Sequence, residues 1–216
     1  MTLLNTLGEP EKALGLIKAR KFHQWEGGEG KVAAQYLTAL YQLAKAAVEK
    51  EDYAEAKELL LRAVGEYPHN LGEGKLESGQ ENNLYYLLGL VQEKLGEAKD
   101  AFESLTRACC GESEPVGMMY YNDQPPEMIY YQGLAYRMLG EEEQAVQRFR
   151  KLVDYGKEHI GDEIKIDYFA VSLPDLLIFE ENLNERNRKH CLFMMSLGLR
   201  GLGQTDEAKA CAEELL

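Results

Sequence analysis

The stretch Leu139-Gly140-Glu141-Glu142-Glu143-Gln144-Ala145 decides the fold. A glycine directly after a leucine suits the left-handed residue that closes a helix. The acidic residues that follow suit the first turn of the next helix, where the helix dipole favours negative charge. The alanine stands where two helices must approach closely. The stretch therefore reads as the turn of a helical hairpin. It recurs as Leu7-Gly8 to Ala13, Leu95-Gly96 to Ala101 and Leu202-Gly203 to Ala208, with Gly and Ala five residues apart each time. Lys50-Glu51-Asp52-Tyr53 leading to Ala56 is a degenerate further copy.

The flanking residues agree. Twelve residues before the alanines stand Ala44, Gly89, Gly133 and Ser196, all small. Four residues further back stand Leu40, Tyr85, Ile129 and Leu192, all apolar. After the alanines come Leu60, Leu105, Phe149 and Ala212, then Ala63, Ala108, Leu152 and Leu215. Steps of three and four place these on one helical face. Pro68 stands where a helix-stopping proline is expected.

This grammar resembles the tetratricopeptide repeat, with its small eighth and twentieth positions and apolar fourth, seventh and twenty-fourth. The resemblance implies an all-α fold: a right-handed solenoid of helical hairpins. Repeats are expected at about 37–70, 82–115, 126–155 and 189–216, in a single domain over 1–216. Residues 3–22 read as the second helix of an earlier unit, a half repeat, so the chain is expected to be a piece of a longer one. Open solenoid ends would expose apolar surface and admit end-to-end homodimers.

The insertions set this chain apart. The anchor alanines lie 43, 45, 44 and 63 residues apart, against about 34 for the ordinary repeat. The longest insertion is placed at 156–188, with an extended stretch over 164–171 and a short helix over 173–183. The word Gly28-Glu29-Gly30-Lys31 recurs as Gly72-Glu73-Gly74-Lys75. A phosphate-binding loop needs a further glycine and a hydroxyl after the lysine. Trp25 and His69, then Val32 and Leu76, occupy those places. The word instead reads as a turn whose glycines allow positive φ and whose lysine caps a helix or pairs with an acid.

Trp25 to Val32 and Asp167-Tyr168-Phe169-Ala170-Val171-Ser172-Leu173-Pro174-Asp175, with Arg186-Asn187 and His190-Cys191, are similar to words of a narrower group. These words resemble the C-terminal repeat region of large bacterial proteins that carry an N-terminal β-rich domain of unknown function. That resemblance implies a bacterial origin and a link to carbohydrate metabolism, and it supplies no catalytic residues.

Composition narrows the function. The net charge of −13 disfavours nucleic acid, whose phosphates need Lys and Arg, and anionic membrane surfaces. No apolar run approaches a membrane span, and no leader peptide is evident. Cys109, Cys110, Cys191 and Cys211 form no C-x-x-C pair and read as free thiols in a reducing, cytoplasmic setting. His23, His69, His159 and His190 show no metal-ligand spacing, and Ser172 lies in no nucleophile motif. No catalytic residue, metal or cofactor is expected, and the protein reads as a non-enzyme.

The repeat resemblance places ligands on the concave face of the first helices, at the second, fifth, ninth and twelfth positions. The fifth gives Tyr41, Tyr86, Tyr130 and Phe193, an aromatic in every unit. Asn83 and His190 stand at the second position, and Arg137 and Arg200 at the twelfth. Such rings suit an apolar peptide segment, or sugars stacked on aromatic faces. The expected function is a protein- or peptide-binding scaffold module, its partner including its own upstream domain. The alternative is a carbohydrate-recognising or regulatory region of a sugar-processing enzyme with its chemistry upstream. Tyr168, Asp175, Arg186 and Asn187 read as a structural polar network on the long insertion.

Overall fold

A computed structural model describes residues 1–23, 28–75, 80–117, 123–165 and 182–215. The expected extended stretch and extra helix of the long insertion, along with Trp25, Tyr168 and Asp175, lie outside the described residues. Where one domain is expected, the chain divides into two compact units, Met1–Arg107 and Ala108–Leu216. All regular structure among the described residues is helical, as the repeat grammar predicts.

In the first unit, α1 (Thr2–Thr6), α2 (Pro10–Lys18), α3 (Lys31–Glu49), α4 (Tyr53–Val64), α5 (Asn82–Lys94) and α6 (Ala98–Ala108) follow in order. A 3-10 turn at His69–Leu71 separates α4 from α5. In the second, α7 (Pro126–Met138), α8 (Glu142–His159), α9 (Leu183–Gly201) and α10 (Thr205–Glu213) follow. Residues 3–22 thus hold two helices where one is expected. Gly8, at φ 73°, breaks them. The short α1 is tied to α3 through the Asn5 side chain, which donates to the Gln35 carbonyl at 3.0 Å.

All five turns close alike. Gly8, Gly96, Gly140 and Gly203 take φ of 73°, 78°, 82° and 79°. Glu51 holds the same place in the degenerate copy at φ 58°. The next amide then donates to the carbonyl five residues earlier. The pairs are Glu9 to Leu4, Asp52 to Ala47, Glu97 to Gln92, Glu141 to Tyr136 and Gln204 to Leu199, at 2.8 to 2.9 Å. This bond satisfies a carbonyl that the ended helix leaves without a partner.

Close approach explains the small positions. A β-carbon on Gly89 would lie 2.7 Å from Leu105 Cγ. One on Gly133 would overlap the Phe149 ring. Phe149 is fully buried, and Gly201 of α9 also meets its ring. Gly156 marks a correction: the long insertion was expected to begin there, yet α8 continues to His159. This glycine lets α9 cross closely, at Met195 and the Cys191 carbonyl. The polar run Asn184–Arg188 likewise belongs to α9. There Asn187 is buried and donates to the His159 carbonyl at 2.7 Å, closing the end of α8.

The insertion after α4 serves the ends of three helices. Asn70 Nδ2 donates to the Ile17 carbonyl in the last turn of α2 at 2.7 Å and to the Arg20 carbonyl just past its end at 2.9 Å. Glu73 accepts from the Gly30 and Ala33 amides at 2.8 and 3.0 Å, capping α3. Lys75 donates to the Val64 carbonyl at 2.5 Å and pairs with Glu81 at 2.6 Å. The two Gly-Glu-Gly-Lys words are therefore partners: the acid of the second caps the helix that opens on the first. Gly72, at φ 77°, lies directly against the Phe22 carbonyl, where a side chain has no room.

Two stability outcomes follow. Gly133→Ala forces a β-carbon into the Phe149 ring and lowers unfolding free energy by about 1–3 kcal/mol in denaturant titration. Glu51→Gly relieves a left-handed residue that carries a side chain and raises it by about 1 kcal/mol in the same assay.

Candidate functional site

Each first helix buries one stripe and turns another outward. On α3, Tyr36, Ala39, Leu40, Ala44 and Ala47 are buried, whereas Tyr41 is half-buried with Lys45 Nζ 5.0 Å from its ring centroid. On α5, Leu84, Leu87, Leu88 and Val91 are buried, whereas Asn83 and Tyr86 are half-buried. The fifth-position rings of the first unit are therefore neither core nor free surface. One edge rests on the core and the other meets solvent.

The second unit repeats this on α7 and α9, which pack on each other. Tyr130 is half-buried, its ring 5.7 Å from Phe149 and 5.9 Å from Tyr131. Burial pushes its phenol pKa up, while the nearby charges of Arg200 and Arg137 pull it down. Phe193 is 37% exposed. Arg200 is exposed on the last turn of α9.

Two expected site residues have structural work. Arg137 Nε and Nη2 hold the Glu142 carboxylate at 3.0 and 2.7 Å, and its Nη1 donates to the Gly201 carbonyl at 2.9 Å. Its guanidinium also covers Phe149, 5.0 Å from the centroid. Arg137 thus braces the end of α9 against α7. The His190 ring Nε2 lies 2.7 Å from the Val116 carbonyl and holds the segment after α6. Burial pushes the His190 pKa below its ordinary value, with the Val116 bond working the other way.

That segment, residues 109–117, is fastened from several helices. Gln132 on α7 is fully buried and donates to the Cys110 and Glu112 carbonyls at 3.2 and 2.8 Å. Its Oε1 accepts from Arg148 Nε of α8 at 3.1 Å. Gln124 donates to the Glu112 carbonyl at 2.9 Å. Lys151 of α8 pairs with Glu114. The sequence reading missed Gln132, although its signal was there: an amide at the seventh repeat position, where an apolar residue belongs.

Cys109, Cys191 and Cys211 show no activation. Burial pushes Cys109 up to about 12 and Cys191 up to about 11, and it raises Cys211 too. A nucleophilic thiol needs the opposite shift. Among the described residues, no group of three or more His, Cys, Asp or Glu side chains could hold a metal ion. None of the described helices is long and apolar enough to cross a membrane.

The geometry defines an all-helical repeat protein with half-exposed aromatics on its first helices. The chain carries tetratricopeptide repeats: residues 38–70 and 127–155 match the model described as Tetratricopeptide repeat. One match falls in each unit. Two solved structures are distantly similar. "Crystal structure of MamA" is 16% identical, with 96% of this chain and 91% of that one covered and a TM-score of 0.33. "Crystal structure of MamA protein" is 17% identical, with 100% and 92% covered and a TM-score of 0.32.

His190 supplies a pH outcome. Its folded pKa lies below the unfolded value of about 6.5, so the unfolded chain takes up the proton first. The neutral ring's contribution is fully present above about 6.5 and is lost as pH falls through the window beneath it. His190→Gln keeps a donor for Val116. It should reduce the loss of stability between pH 7 and pH 5 in thermal melts, and wild-type His190 should titrate below its ordinary range by NMR.

Proposed function

We propose that this protein is a protein- or peptide-binding scaffold module of a larger, cytoplasmic bacterial protein, with its ligand on the outward stripe of the first helices. The observation that carries the reading is the fifth repeat position. It holds an aromatic in every unit: Tyr41 and Tyr130 are half-buried and packed on a core cluster, Tyr86 is half-buried, and Phe193 is exposed. A ring already fixed on one edge loses little freedom when a ligand covers the other, so it makes an efficient anchor. Stacked helical-hairpin repeats in general offer such faces to protein partners. The four free thiols support a reducing setting. The larger parent chain rests on the resemblance of the Trp25 and Asp167 words alone.

Peptide arrays and glycan arrays, probed with the wild type, Tyr86→Ala and Tyr130→Ala, test the reading. Peptide binding weakened roughly tenfold or more by either variant, about 1.4 kcal/mol, is the expected result. Sugar binding lost in both variants would overturn it in favour of carbohydrate recognition.

A further inference from the structure

The outward stripes of the two units differ in chemistry. In the first unit, the fifth, ninth and twelfth positions read Tyr41, Lys45, Val48 on α3 and Tyr86, Leu90, Glu93 on α5. In the second they read Tyr130, Leu134, Arg137 on α7 and Phe193, Leu197, Arg200 on α9. Only the second unit pairs apolar residues at the fifth and ninth places with arginine at the twelfth on both helices. Residues four apart on a helix share a face. Tyr130 and Leu197 rest on the same core cluster, and both guanidiniums lie close enough to act on the Tyr130 phenol. The result is an apolar strip with two arginines at one end.

The two arginines are not equivalent. The Arg137 charge is met by Glu142, and its remaining donor is spent on Gly201. The exposed Arg200 side chain makes no hydrogen bond or ion pair among the described residues, although its carbonyl accepts from the Gly203 amide at 3.1 Å. It stands beside the carbonyl that Arg137 holds, so its backbone is fixed while its guanidinium is open. Among the described residues the strip therefore offers one unsatisfied cation, in a chain whose net charge is −13. A strongly acidic ligand would be repelled by that field before it reached the strip. A ligand with a single carboxylate among large apolar side chains meets Arg200 at little such cost.

We propose that the α7/α9 face binds a peptide segment bearing one internal Glu or Asp side chain, seated on Arg200, beside apolar side chains laid along Tyr130, Leu134, Phe193 and Leu197. This rests on the peptide-binding reading above and names the ligand class for the second unit. Planar, charge-assisted hydrogen bonds from a guanidinium to a carboxylate supply the discrimination.

The probes are nonapeptides capped at both ends, carrying two Phe or Leu and one Glu in a Ser/Gly background. Matched peptides carry Gln, Lys, or three Glu in place of the one. Affinity is read by fluorescence polarisation on the full chain. The expected result is that the single-Glu peptide binds at least about tenfold tighter than the Gln form and tighter than the triple-Glu form. Arg200→Glu should abolish the Glu preference and favour Lys, and Arg200→Lys should restore part of it. Arg200 is exposed, so circular dichroism should show the variants folded. Equal binding of Glu and Gln peptides, a preference that survives Arg200→Glu, or binding that requires an uncapped C-terminus overturns the inference. If capped peptides bind through Tyr86 without regard to Glu, the inference fails and the peptide-binding reading stands. If no peptide binds, both fail.

Discussion

The structure hangs on one hydrogen bond, made five times. An amide reaches back over a left-handed residue to the carbonyl five positions earlier, as Glu141 does to Tyr136. The bond ends one helix and, within the same few residues, aims the next one back along it. Once the turn is fixed, the paired helices come close where a glycine faces the partner helix, as Gly133 and Gly89 do in their own hairpins. Phe149 and Leu105 fill the space that this leaves. Side chains that cannot enter the narrow seam are turned outward, and the half-buried rings of the candidate site are among them. Seam, core and site thus descend from the geometry of a turn.

That chain of causes explains what could be read in advance. The turns are local, so their residues carry the signal within a few positions, and even Glu51 was placed correctly with no glycine to mark it. The fifth-position aromatics follow by counting from those turns. What escaped was non-local. Nothing near Gly30 shows that Glu73 caps its helix, because the donor and acceptor lie 43 residues apart. Gly156 looks like a helix end in sequence and is a crossing point in space. The run Asn184–Arg188 looks like loop because it is polar. One of its members, Asn187, is buried for that very polarity, since an open helix end needs a donor.

The site was legible as a set of positions but not as a set of roles. Counting puts Arg137 and Arg200 at equivalent places and His190 at the second place of the last repeat. Only the neighbours separate them. Arg137 has Glu142 five residues later and the end of α9 across from it. His190 meets the carbonyl of a segment 74 residues earlier in the chain. Arg200 has neither. A repeat thus specifies which residues face outward, while the insertions and turn acids decide which of those remain open to a ligand.

The segment after α4 has a consequence for how this chain could change over evolutionary time. In a plain array each hairpin touches only its neighbours, so whole hairpins can be duplicated, lost or exchanged. Here Asn70 serves carbonyls up to 53 residues back, and Glu73 serves a helix start 43 residues back. Cutting out one hairpin would strip the ends of others. The first unit should thus be inherited as a block, and its ends cannot be completed until residue 75 has left the ribosome. Long-range closure of this kind also slows folding relative to a purely local array.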